Sequence, residues 1–219
     1  MYGGSASSVE EAVNRVGFSE ILKLVGTASA ARLSEQPLES YGIGAQHLRC
    51  NMLYGAFASE ALARTAGADT RSAYLAGLLR PLGMMVLNRA TQGQVSAPQR
   101  FAPTRWATYS DWEGGMFGVD NCAVASLILD EWRFPAAVGE SIRIHYLTRP
   151  EDHANPLAAL LNVANGLAAR VSRAFAGETR WWDITDDKLH AARLTVDDFE
   201  PAIMETEAAF DAAMAVLKT

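Results

Sequence analysis

The chain has 219 residues, 49% of them hydrophobic and 20% charged, with 19 Lys and Arg against 25 Asp and Glu, a formal charge of −6. That apolar share is enough to bury a core, and the acidic balance argues against a nucleic-acid surface as the main role. No basic-then-apolar leader opens the chain, and no unbroken apolar run approaches the ~18 residues of a bilayer span; a cytoplasmic location with no membrane role is expected.

Helix signals dominate in chain order. Ser8 and Glu11 in "SSVEEAV" have capping-box spacing, so a short helix should run to about Asn14. In "FSEILKLVGTASAARL", Ile21, Leu22, Val25 and Ala28 fall on one helical face. "GAQHLRCNMLYGAFASEALARTAG" predicts a longer amphipathic helix with Leu48, Met52, Ala56 and Ala63 inward and Gly67 as its stop. Asp69 or Thr70 then caps the next helix.

That next stretch, "AYLAGLLRPLGMMVLNRAT", carries Arg80 and Pro81 inside an apolar run. Pro81 cannot donate to the Gly77 carbonyl and presses on it, at a cost of about 3 kcal/mol in a helix interior. A kink or break is predicted, with Gly77 giving the backbone room to bend.

Residues 91–118 hold Pro98, Pro103, Gly114, Gly115 and Gly118 and read as a long irregular connection, with "EGGMFG" as a flexible turn. Helices resume at Asp120, at the Phe134-Pro135 pair, and at Asn155-Pro156, the last expected to continue to Gly177. A short helix near Asp186–Ala192 and a final one with Phe210, Met214 and Leu217 on one face close the chain. No strand pattern or repeat is present. The expected fold is all-α, a compact bundle of roughly eight helices.

Three segments carry a family resemblance. "GGSASSVEEAVNRVGFSEI", "AYLAGLLRPLG" and "GVDNCAVASLILDEWRFPAAVGESIRIHYLTRP" occur in the order and spacing of the HDOD domains, HD-related output domains of bacterial signalling proteins. The second is similar to the Gly-Leu-Leu-His-Asp-x-Gly signature of HD phosphohydrolases. The resemblance implies a single HDOD-type domain over 1–219, with 178–219 as a C-terminal helical extension. Family members usually carry a further helical bundle ahead of the segment "MYGGSASS", which resembles that bundle's end; a missing or truncated N-terminal part is implied.

HD enzymes hold divalent metal with His and Asp, and the metal activates a water for attack on a phosphoester. Matched motif by motif, the first ligand histidine falls on Asn51, the His-Asp pair on Arg80 and Pro81, the later helix histidine on Asn121, the His-His pair on His145 and Tyr146, and the late aspartate near Asn165. Arginine stays cationic and repels a divalent ion; proline has no donor atom; only His145 remains a good ligand. The resemblance thus implies no metal, no cofactor and no catalytic residue. Asn51, Arg80, Asn121, His145 and Asn165 are expected to line a vestigial pocket, bonding each other or a small anion, with Arg80 suited to phosphate or carboxylate.

Other candidates are weaker. His47, His153 and His190 read as surface or partly buried histidines, and the acidic clusters "DITDD" and "VDDFE" as solvated caps. Cys50 and Cys122 read as buried reduced thiols, with no Cys-x-x-Cys pair. Trp181 and Trp182 pack on the bundle through a loop, or leave one ring exposed as a partner anchor. The expected role is a non-catalytic regulatory domain working through protein partners. The alternatives are a nucleotide sensor using the emptied pocket and a residual phosphohydrolase.

Overall fold

A computed structural model describes the backbone of residues 18–217 and the side chains of 25–217. The predicted helix following Ser8 lies outside those residues. Among the described residues there are ten α-helices and no strand beyond one bridge between Leu38 and Ile43. None is long and apolar enough to cross a membrane.

Helices α1 (Phe18–Leu33), α2 (Ala45–Thr65), α3 (Thr70–Leu79) and α4 (Leu82–Ala90) come first. Helices α5 (Tyr109–Phe117), α6 (Asn121–Glu131), α7 (Ala136–Ile144), α8 (Pro156–Arg170), α9 (Asp186–Ala192) and α10 (Phe199–Val216) follow. The centre is α2, buried on every face from Asn51 to Ala63 and packed against α3, α8 and α10. Helix α8 is the second central element, buried from Ala158 to Ala168. Such all-round burial is what removes a clean polar face from both helices.

Several caps are those the sequence predicts. Asp69 accepts from the Arg71 N–H at 3.0 Å, Asp120 from Ala123 at 2.8 Å, and Asn155 from Ala158 at 3.0 Å ahead of Pro156. The break at Pro81 is also present: α3 ends at Leu79, and Pro81 stands at the head of α4. Gly77 has a different use from bending. A Cβ there would lie 2.3 Å from the Gly55 carbonyl oxygen, so its bare backbone lets α3 cross α2 closely.

Three expectations are corrected. On α1, Val25 and Ala28 face solvent, and the buried face is Gly26, Thr27 and Ala30; Gly26 lets the Tyr74 ring approach. Within the stretch read as irregular, α5 forms despite Gly114 and Gly115. Thr108 accepts from the Asp111 N–H at 3.0 Å, Gly118 closes the helix at φ 74°, and Trp112 is fully buried. Caps and that burial outweigh the ~1 kcal/mol that each glycine costs a helix. Finally, α8 stops at Arg170, not Gly177. Ser172 adopts φ 59°, and the Arg173 N–H bonds back to the Ala168 carbonyl at 2.8 Å, a Schellman closure. The chain then turns inward instead of running on. With α5, and with the split at Pro81, the bundle exceeds eight helices.

Candidate functional site

The inward turn after α8 brings residues 175–182 onto the end of α3. Phe175 is buried, and Gly177 sits so close to the Tyr109 ring that a Cβ would be 2.5 Å away. The 3-10 turn Ala176–Trp181 therefore presses into the bundle, with Glu178 fully buried.

Glu178 meets Arg80. The guanidinium donates from Nη1 to Glu178 Oε1 at 2.6 Å and from Nη2 to Asn51 Oδ1 at 2.6 Å. Both ends of the ion pair are sealed, at 1% and 0% side-chain exposure. The Tyr146 hydroxyl donates to the same carboxylate oxygen at 2.7 Å. The guanidinium carbon lies 5.3 Å from the Phe175 ring centre and 5.7 Å from that of Trp182. Asn51 is itself held, donating from Nδ2 to the Arg173 carbonyl at 2.8 Å. A buried cation needs such a partner set, because burial of an unpaired charge is strongly unfavourable.

Both tryptophans pack here. Trp182 is buried and Trp181 half-buried; Tyr146 stacks on Trp181 and leans against Trp182 and His145, and the His145 ring stacks on Trp182.

His145 caps α7 and is fully buried. Its Nδ1 lies 2.7 Å from the Ile142 carbonyl, which can only accept, so the proton sits on Nδ1. Burial, and then the Arg80 charge, hold this histidine down to about 3. Cys122 Sγ is 3.7 Å from the same nitrogen. Burial first, then Asp120 and Glu113, push its thiol up. A neutral thiol beside a neutral imidazole is no thiolate nucleophile. Asn162, which sequence reasoning passed over, fixes the His145 carbonyl from Nδ2 at 2.8 Å.

All five sequence-predicted positions are buried, none more than 2% exposed. Asn51 and Arg80 bond directly. Asn121 turns toward Glu113 and accepts, at 3.6 Å, from Cys122 Sγ beside it. Asn165 bonds back to the Leu161 carbonyl of its own helix at 2.8 Å and joins none of the others. The residues do not fit a divalent ion. A fixed cation stands at the His-Asp position, and among the described residues no three His, Cys, Asp or Glu side chains form a ligand group.

Residues 2–148 match the family description "HDOD domain". The chain belongs to the HDOD family. Among solved structures, this HDOD chain is similar to a protein from Shewanella amazonensis SB2B named as a candidate phosphohydrolase, at 18% identity and TM-score 0.57, over 96% of this chain and 88% of the other. A virulence factor from Campylobacter jejuni subsp. jejuni is matched at 16% identity and TM-score 0.48, over 90% and 77%. At such identity the first likeness shows a shared fold. No curated protein matches the chain at a significant level. Arg80, Asn51, Asn121 and His145 lie inside the HDOD segment; Glu178 and Asn165 lie beyond it.

A second buried carboxylate braces the HDOD segment. Glu113 on α5 accepts from the Tyr41 hydroxyl at 2.6 Å and from both the backbone and side-chain N–H of Asn121 at 2.8 Å. Burial outweighs these three bonds and pushes Glu113 up to about 7. A raised carboxyl contributes its stability fully below its ordinary 4.5 and loses it as pH rises through 7; the depressed His145 contributes fully above 6.5 and loses it as pH falls toward 3. Between pH 4.5 and 6.5 the two trends oppose each other. Glu113→Gln, a mimic of the protonated acid, removes one of them. Urea unfolding at pH 7 and pH 5 should show this variant losing more stability on acidification than the wild type. Equal changes would remove the role assigned to Glu113.

Proposed function

We propose that this HDOD chain is a non-catalytic regulatory module of bacterial signalling, cytoplasmic, acting as one unit over 1–219 through contacts with other proteins. The observation that carries the reading is the Arg80–Glu178 pair, completed by Asn51, at the position of the HD metal signature. Hydrolysis by an HD site needs a cation bound to water; a guanidinium supplies the charge without the open coordination position. The name of the Shewanella amazonensis relative points toward phosphohydrolysis, and the donor set in this chain points away from it.

The nucleotide-sensor reading is weakened by the same pair. Arg80 is already engaged by an internal carboxylate, so an incoming phosphate would have to displace Glu178. Purified protein, incubated with manganese, iron or magnesium, should hold less than stoichiometric metal and show no turnover of p-nitrophenyl phosphate, bis-p-nitrophenyl phosphate or a cyclic dinucleotide. Stoichiometric metal with turnover that His145→Ala abolishes would overturn the proposal. A nucleotide-dependent rise in melting temperature, lost in the double variant Arg80→Met/Glu178→Leu, would favour the sensor instead.

A further inference from the structure

The aromatic turn is anchored at one end and lightly tethered at the other. At its start, Phe175 belongs to the main hydrophobic core, Gly177 lies against the Tyr109 ring, and Glu178 is paired with Arg80. Past its end, Ile184 packs on the same core. Between these anchors, residues 179–183 close over a separate cluster of Cys122, Tyr146 and Trp182, with Trp181 at its edge. A satellite cluster under a short segment has its own, lower cohesion and can open without the rest.

The polar groups of this cluster are poorly served. Seven buried side-chain nitrogen or oxygen atoms among the described residues have no hydrogen-bond partner, and four of them meet here: His145 Nε2, Glu178 Oε2, Trp181 Nε1 and Trp182 Nε1. With its proton on Nδ1, the His145 ring offers Nε2 as an acceptor, and each indole offers a donor. An unpaired buried polar atom costs more than an ordinary hydrogen bond contributes. Trp112, in the main core, is different: its indole donates to the Gln99 carbonyl at 2.9 Å. Water would satisfy both indoles and the imidazole if residues 179–183 swung out.

What keeps them in is stacking and a few main-chain tethers. Ring centres are 5.8 Å apart for Trp182 and His145, and 5.6 Å for Trp181 and Tyr146. Lys188 Nζ donates to the Trp181 and Asp183 carbonyls, both at 2.8 Å, and Asn162 Nδ2 donates to the Trp181 carbonyl at 3.2 Å.

We propose that residues 179–183 are a gate, which opens locally while the Arg80–Glu178 pair and the helical bundle stay in place, and that opening uncovers Cys122 and His145 at the vestigial pocket. The proposal goes beyond the reading of the chain as a protein-contact module and does not depend on it.

Cys122 is the reporter, because it is 3% exposed and packed against Trp182. The chain has two cysteines, so Cys50→Ala leaves a single thiol. In that background, an excess of a chromogenic aromatic disulfide at pH 8 should label Cys122 slowly. Low urea should hardly change the rate, since a local opening exposes little surface. Lys188→Met removes two tethers and should speed labelling by about tenfold. Leu62→Ala is the deciding variant. Leu62 is fully buried, eleven residues along α2 from Asn51, or roughly 16 Å. The substitution should lower the urea midpoint of the whole bundle and leave Cys122 labelling within about twofold. Leu62→Val makes the same comparison with a milder loss if the alanine variant does not fold.

Labelling that accelerates in step with the lowered urea midpoint would mean that only global unfolding bares the thiol, and would overturn the proposal. So would a Lys188→Met protein that labels no faster, or a Cys122 that reacts as fast as in the unfolded chain. Metal-dependent turnover would sink the regulatory reading and leave the gate standing.

Discussion

Glu178→Ala should cost the protein about 3–5 kcal/mol, because it leaves the Arg80 guanidinium buried without its counter-charge. Against a typical total of about 5–15 kcal/mol this approaches global unfolding at 37 °C. At about 2–4 °C per kcal/mol for a chain of this size, the melting temperature should fall by roughly 6–20 °C. Arg80→Ala should fare nearly as badly. The pair of changes Arg80→Met/Glu178→Leu is the informative variant. It replaces both charges with apolar volume and should recover most of the loss, since a sealed ion pair gains little over well-packed carbon. Recovery should stop short of complete: the Tyr146 hydroxyl and Asn51 Oδ1 lose their partners. Urea titration followed by circular dichroism measures all four proteins. A Glu178→Ala protein within ~1 kcal/mol of wild type would mean that the carboxylate does not neutralise Arg80.

Gly83→Ala should be the other large effect. A Cβ at Gly83 would stand 1.8 Å from the Asn121 carbonyl oxygen and 2.6 Å from its carbon. These are backbone atoms, which cannot rotate away. Helices α4 and α6 would have to separate, and Asn121 would shift from the Glu113 carboxylate that it caps. Overpacking of this kind costs about 1–3 kcal/mol, and more where backbone must move. Gly114→Ala is the matched control. It lies inside α5 with nothing within 4 Å of an added Cβ, so it should stabilise by about 0.5–1 kcal/mol through helix propensity alone. The two alanine variants should therefore move in opposite directions in the same thermal melt. If they move together, the contact between α4 and α6 is looser than the geometry requires.

What was legible in the sequence was local or periodic. Asp69, Asp120 and Asn155 announce their helices because a cap acts within three residues of itself. Pro81 announces a break because its ring has only one tolerable place in a helix. Helix α5 was hidden by its glycines, since the burial of Trp112 that stabilises it depends on Phe101, Phe117 and the distant Tyr41. The site was half legible. The loss of metal donors is written at Arg80 and Pro81, but Glu178 is separated from Arg80 by 98 positions in an otherwise polar stretch. Two clues point to it in hindsight. A buried arginine demands a carboxylate, and Glu178 is the acid set among Phe175, Trp181 and Trp182. Neither clue has a period or a spacing, so pattern reading passes over it.

The distance between Arg80 and Glu178 along the chain has a consequence for how the molecule can be divided. The segment that matches the HDOD description ends at residue 148, thirty positions before the acid. A fragment trimmed to that segment would keep the positive end of the bond and discard the negative one. It would also lose α8, one of the two helices around which everything else is wrapped. Electroneutrality of the interior therefore ties the recognisable motif to the aromatic turn at 175–182, which supplies the counter-charge that the motif lacks.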